Sequence, residues 1–218
     1  NVWFGTDDGI SKFDGDRWTT YNRFNSGLVG YGVYDIDLDS EGNKWFVSSG
    51  GWGVTKFDGS HWTVYDTSNS GLAYHYVLTI AIDPEGNVWF GTQDHRGVSK
   101  YDGSHWTTYN STNSDLKSDE VWAIAIDKDG SKWFGTDDGV IRFYDVNWAT
   151  CNKIDNSQEL DYIRSIAIDS KGNKWFGSDG GDGVFKYDGT YWTVYNKSNS
   201  GIASDYITTI AIEETGDD

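Results

Sequence analysis

Methionine is absent from this 218-residue chain, and proline and cysteine occur once each. The lone Cys151 excludes an intramolecular disulfide, so redox state says little about compartment. No apolar run approaches a membrane span, and no signal peptide is visible. The chain opens on Asn1 inside a repeat, the start expected of a processed or excised product. Positive charge is scarce too: 17 Lys and Arg face 34 Asp and Glu, a net charge of -17. Such a surface repels phosphate backbones and anionic lipid, which argues against nucleic acid partners and membrane insertion. Aromatics and glycine are plentiful instead, with 12 tryptophans and 27 glycines. A few buried aromatics per strand can supply a core, and the glycines point to many tight turns.

The tryptophans recur in register. A Trp-Phe pair starts at Trp3, Trp45, Trp89, Trp133 and Trp175, at spacings of 42, 44, 44 and 42. A second cluster follows at Trp18, Trp62, Trp106, Trp148 and Trp192. A third element, IDLD, IAID or IAIE, recurs as well, in four copies just before an aspartate-glycine turn such as DPEGN. The repeats start near Asn1, Asn43, Asn87, Ser131 and Asn173. Each unit holds four short apolar or alternating runs parted by turn chemistry, a strand signature without helical periodicity. In the third copy these are VLTIAID, NVWFGT, GVSKYD and WTTYN, termed a, b, c and d. Four strands in ~43 residues match the blade of a β-propeller. Stacked blades cover each other's faces, which explains why adjacent Trp and Phe on strand b are both apolar.

The expectation is an all-β, five-bladed β-propeller forming a single domain over residues 1–218, with four antiparallel strands per blade. The chain begins with a strand b and ends with a strand a, DYITTIAIEE. The C-terminal strand a is therefore expected to join the N-terminal strands b, c and d and close the ring.

The combination of WFGT, GVSKYDG and IAID over five copies resembles the two-component regulator propeller repeat. In copy four, RFYDVNWATCN lacks the c–d glycine and puts Cys151 at a tyrosine position. The resemblance implies a propeller that senses or binds, extracellular, at the cell surface or periplasmic. It implies no single ligand.

Departures from the repeat are the better guide to function. From the first tryptophan to strand c is seven positions in copies one and four and nine in the others; from the second tryptophan to strand a it is always fifteen. The b–c loop thus carries every insertion, at SSGGWG, TQDHRG and SDGGDG. In a propeller the b–c and d–a loops share one face, and loops on a rigid scaffold are where binding residues concentrate. Trp52 and Trp122, the two tryptophans outside the repeat, are expected there as stacking platforms for sugar or aromatic rings. His75, His95 and Arg96 fall to one blade on that face; their spacing is no compact metal motif. His61 and His105 fall to the opposite turns. Ten positions before strand a should ring the mouth of an axial channel: Tyr31, Gly32, His75, Tyr76, Asp119, Glu120, Asp161, Tyr162, Asp205 and Tyr206. Carboxylates and tyrosines there suit a cation or a polyhydroxylated ligand, or serve as caps and turns. Asp37 replaces the alanine of the other copies (Ala81, Ala125, Ala167, Ala211) and needs a partner, water or cation, with Arg164 a distant counter-charge. The aspartates Asp7, Asp8, Asp137, Asp138, Asp179 and Asp182 could bind calcium through oxygens, though none forms a recognised calcium loop and Asp-Gly is first a turn signal. No other cofactor is indicated.

The reading is a non-enzymatic binding propeller whose partner is a glycan or other small polar ligand, held in one composite site because the b–c loops differ. An assembly subunit that packs on another surface protein is one alternative. A glycoside- or lactone-cleaving propeller is another, with Asp37, Asp119, Glu120, Asp161 and Asp205 as its carboxylates.

Overall fold

The computed structural model describes residues 1–151, 154 and 159–213. It is all-β, and its strands form five antiparallel sheets within two compact units, Asn1–Asn110 and Ser111–Asp218. In the first unit, β1 (Val2–Thr6), β2 (Gly9–Phe13) and β3 (Trp18–Tyr21) make a three-stranded sheet. The second sheet joins β4 (Val33–Leu38), β5 (Lys44–Ser48), β6 (Val54–Phe57) and β7 (Trp62–Tyr65). The third joins β8 (Val77–Ile82), β9 (Val88–Thr92), β10 (Val98–Tyr101) and β11 (Trp106–Tyr109). The second unit holds β12 (Val121–Ile126), β13 (Lys132–Thr136), β14 (Gly139–Tyr144) and β15 (Asn147–Cys151), then β16 (Ile163–Ile168), β17 (Lys174–Ser178), β18 (Val184–Tyr187) and β19 (Trp192–Tyr195). Strands pair in chain order, so each sheet is one meander; four of the five have the four strands of a propeller blade, and the first has three.

Turn chemistry fixes the short connections. Between c and d, Asp102 Oδ1 accepts the amides of Ser104 and His105 at 2.8 and 2.7 Å; Asp14, Asp58 and Asp188 do the same in their sheets. Between a and b, Asp83 accepts the backbone and side-chain N–H groups of Asn87 and, at 2.9 Å, the indole N–H of Trp89. Asp39 and Asp169 hold Trp45 and Trp175 the same way. The fourth copy departs: Ser131 stands where the others have asparagine, Asp127 pairs with Lys174 at 2.5 Å, and the Trp133 indole N–H finds no partner among the described residues.

Successive side chains on a strand face opposite ways, so the Trp-Phe pair of strand b serves two interfaces. Trp45 packs on Phe90 of the next sheet at 6.0 Å, while Phe46 meets Trp3 of the previous one at 5.9 Å. Trp133 and Phe176 repeat the contact at 5.9 Å. A leucine after each d–a bend, at Leu28, Leu72, Leu116 and Leu160, plugs the same layer and is buried. The glycine beside it lies flat on the next d-strand tryptophan: a Cβ on Gly27 or Gly71 would sit 2.3 Å from Trp62 or Trp106.

β1 is an edge strand, and the pairing expected between it and the C-terminal strand a is not among the strand pairings of the described residues. Residues 204–213 hold no strand. They still lie against the last sheet where a following strand a belongs: Ile207 donates its N–H to Ser178 O at 2.7 Å, and Ile210 donates to Ser165 Oγ at 2.8 Å.

Candidate functional site

The registers place the variable loops together. Val33 pairs with Ser48, and Val54 with Tyr65, so the start of strand a, the b–c loop and the end of strand d share one end of each sheet.

In the first unit this end gathers aromatic and charged side chains from the second and third sheets. Trp52, in the β5–β6 loop, is 51% exposed. With Gly51, Asp66, Thr67, Ser68 and His75 it lines an open recess of about 280 Å³. The loop is held by main chain: Gly53 donates its N–H to His75 O at 3.0 Å, and Gln93 donates to Tyr76 O at 3.0 Å. Gly51 has φ +74°, and a Cβ there would lie 2.5 Å from the Tyr76 ring, so only glycine permits this approach. Around the recess, Tyr74 packs on His75 and Tyr76 with centroids 4.3 and 5.6 Å apart. Its hydroxyl donates to Asp94 at 2.7 Å, which raises the phenol pKa, and the Arg96 guanidinium lies 5.7 Å over its ring. Asp94 and His95 both have positive φ, near +57°, in the inserted β9–β10 loop. Trp52, His75, Tyr76, His95 and Arg96 therefore sit on neighbouring loops of one face. Tyr74 and Asp94 were missed, although Tyr74 adjoins His75 in the sequence and Asp94 adjoins His95.

Tyr31 belongs to the same unit but to a different contact, with Arg23 stacked 4.0 Å over its ring. Asp37 is half-buried and each of its carboxylate oxygens accepts a backbone amide. Oδ1 accepts Leu38 N–H at 2.7 Å, and Oδ2 accepts Ile82 N–H of the neighbouring sheet at 2.8 Å. Asp35 does the same with Ile36 N–H, Ile80 N–H and the Thr79 hydroxyl. Burial pushes both carboxyl pKa values up, and these amide donors oppose the shift. Among the described residues the hydrogen-bond partners of Asp37 are the backbone amides of Leu38 and Ile82.

In the second unit, Trp122 sits where β12 shifts register against β13, and the Arg164 guanidinium lies 3.4 Å over its indole. Arg164 also approaches Asp179 at 3.6 Å. Asp161 is pushed up to about 6, first by burial, then by the neighbouring Asp182 carboxyl and the nearby charges of Glu159 and Asp138. Tyr162, at φ +46°, donates its N–H to Asp137 O at 3.2 Å and accepts from Asp179 N–H at 2.9 Å. Asp119 and Asp205 act within their own loops: Asp119 accepts the amide and hydroxyl of Ser111, and Asp205 accepts the Lys197 amide. Glu120 follows in the same loop, its amide 3.4 Å from Ser118 Oγ. Tyr206 is exposed and rests near Gly181. No group of three or more His, Cys, Asp or Glu is arranged for a metal among the described residues.

Residues 71–94, from the d–a bend through strand b, match the family model described as Two component regulator propeller. Residues 71–94 thus carry a two component regulator propeller repeat. Propellers of this kind are also found by structural comparison. The chain is similar to the extracellular domain of the hybrid two component system BT3049 from B. thetaiotaomicron, at 26% identity and a TM-score of 0.75, covering 90% of this chain and 27% of that one. PorZ, a surface component of the type-IX secretion system of Porphyromonas gingivalis, is similar at 17% identity and a TM-score of 0.71, over 96% and 34% of the two chains. Virginiamycin B lyase from Staphylococcus aureus follows at 17% and 0.59, over 72% and 52%. The last two likenesses are of fold alone. The chain spans about a third or less of the first two structures' length. A comparison with curated proteins returns no match.

Proposed function

We propose that this chain is a non-enzymatic, extracellular or surface-exposed binding propeller that takes a glycan or other small polar ligand on its loop face. The observation that carries the reading is the half-exposed Trp52 indole beside a recess edged by Asp66, Thr67, Ser68 and His75. A flat apolar ring set among hydroxyl, carboxylate and imidazole groups is what a pyranose requires: stacking on its C–H face and hydrogen bonds at its rim. The recess is shallow and open, which suits recognition of one end or face of a ligand. The likeness to an extracellular sensor domain supports both the location and the role.

Catalysis is disfavoured by the carboxylates themselves. Asp37 is engaged by amides on both oxygens, and Asp119 and Asp205 clamp their own loops. The test is a glycan array read with and without calcium, followed by titration of the best hit against Trp52→Ala. Loss of at least tenfold in affinity is expected; unchanged binding by the variant removes Trp52 as the platform.

A further inference from the structure

The d–a turn of the first copy departs from its repeats at two positions. Copies two, three and five read YDTSNSGL, YNSTNSDL and YNKSNSGI, whereas copy one reads YNRFNSGL, with Arg23 and Phe24. The backbone of the turn does not change. Asn22 Oδ1 accepts the Phe24 N–H at 2.9 Å, as Asp66 Oδ1 accepts that of Ser68 at 2.7 Å and Asn196 Oδ1 that of Ser198 at 2.9 Å. Phe24 is 82% exposed, and Ser68, Thr112 and Ser198 at the equivalent position are exposed too, so the turn itself sets this exposure. A bare phenyl ring adds nothing to the core, but it gives Arg23 a surface. The Arg23 guanidinium carbon lies 4.7 Å over the Phe24 ring and 4.0 Å over that of Tyr31.

Other basic side chains of this acidic chain lean on carboxylates: Lys56 on Asp39, Arg142 on Asp129 and Arg164 on Asp179. Among the described residues, Arg23 makes no ion pair and no side-chain hydrogen bond; its partners are the two rings. Aromatic contact orients the guanidinium plane and leaves its N–H donors at the rim, where a planar carboxylate can take two parallel bonds. This clamp is stitched to the loop that carries Trp52. Gly32 donates its N–H to Ser49 Oγ at 2.9 Å, and Ser49 donates its own to Gly32 O at 2.8 Å. Gly30, next in the chain to Tyr31, abuts the indole: a Cβ there would sit 3.2 Å from Trp52 Cδ1.

We infer, on the basis that Trp52 carries a sugar ring as proposed above, that Arg23 binds the carboxylate of that ligand, so that the loop face selects an acidic glycan built from uronic acids. The net charge of -17 does not oppose this at contact range. Charges beyond about 8 Å are largely screened at physiological ionic strength, and no carboxylate of the described residues lies within ion-pair distance of Arg23. The planar two-oxygen edge of a uronate matches the guanidinium fork more closely than a tetrahedral sulfate ester does.

The test uses tetrasaccharides of galacturonate, glucuronate and mannuronate, each beside its carboxyl-reduced form and a sulfate ester of that reduced form, titrated calorimetrically. At least one uronate should bind roughly tenfold or more tighter than its reduced form, with a gap that narrows as NaCl is raised. Arg23→Gln should weaken uronate binding by roughly tenfold, the scale of a hydrogen bond to a charged group, and leave the reduced form unchanged. Arg23→Lys keeps the charge without the fork and should recover only part of the loss. Trp52→Ala should weaken both forms alike. Reduced forms that bind as well as uronates, and through Trp52, overturn this inference and leave the sugar platform intact. A sulfate ester preferred to the uronate overturns the carboxylate, and an Arg23→Gln variant that keeps the full preference with wild-type circular dichroism overturns Arg23 as its source. Failure of every saccharide to bind overturns both this inference and the function proposed for the recess.

Discussion

The carboxylate of Asp37 accepts the N–H of Ile82 from the adjacent sheet at 2.8 Å, and Asp35 reaches Ile80 in the same way at 2.9 Å. Two side chains thus satisfy amides of β8. Replacing Asp37 with alanine leaves the Ile82 amide without that partner and should destabilise the first unit by about 1–3 kcal/mol. Asp37→Asn, which keeps an acceptor oxygen, should cost less. Denaturant unfolding of both variants checks the order.

Gly51 governs the recess more sharply than any side chain in it. At φ +74° with the Tyr76 ring 2.5 Å from its absent Cβ, alanine there must displace either the loop or the ring. Gly51→Ala is expected to abolish ligand binding at Trp52. It should leave global unfolding within about 2 kcal/mol of wild type, the range of strain at an unfavourable backbone conformation. Binding that persists unchanged in Gly51→Ala would show that the ligand lies elsewhere.

The indole N–H of Trp89 is buried and donates to Asp83 at 2.9 Å. Asp83→Ala should cost about 1–3 kcal/mol through that stranded donor. Asp169→Ala should cost less, because Trp175 is only half-buried and water can reach its nitrogen. Equal losses in the two variants would argue against the indole bond as the cause.

Asp161 predicts a pH dependence of unusual sign. Its folded-state pKa is raised from 3.8 to about 6, so the native state holds the proton more tightly than the unfolded chain. Its contribution to stability is fully present below about pH 3.8 and is lost as pH rises through about 6. Asp161→Asn should flatten the fall in stability between those two values. Thermal melts at pH 4.5 and pH 7, wild type against variant, measure the difference.

The blades were legible because their signals are local and repeated. The Asp-Gly turns, the Trp-Phe alternation and the fifteen-residue step from second tryptophan to strand a fix strand, register and loop without knowledge of the tertiary contacts. The b–c insertions likewise marked the loops that hold Trp52 and Arg96. Asp37 was legible as an anomaly, but its partner was not: a backbone amide carries no letter in the sequence. Tyr74 was passed over because nothing in its spacing distinguishes a tyrosine that anchors a cluster from one that fills a turn. The tail showed a strand pattern in sequence, yet a strand also needs a paired neighbour, and residues 204–213 hold none among the described pairings.

Repeats this alike risk exchanging partners as they fold, since one strand a fits another's slot almost as well. Asp35 and Asp37 act as an address on β4, because Ala123 and Ala125 or Ser165 and Ala167 at the same positions in β12 and β16 lack a carboxylate to reach Ile80 and Ile82. Ser165 could still answer the Ile80 amide, as it answers that of Ile210, but swapping β4 for either strand would leave the Ile82 amide unanswered, so Asp37 helps a near-identical array keep its members in order.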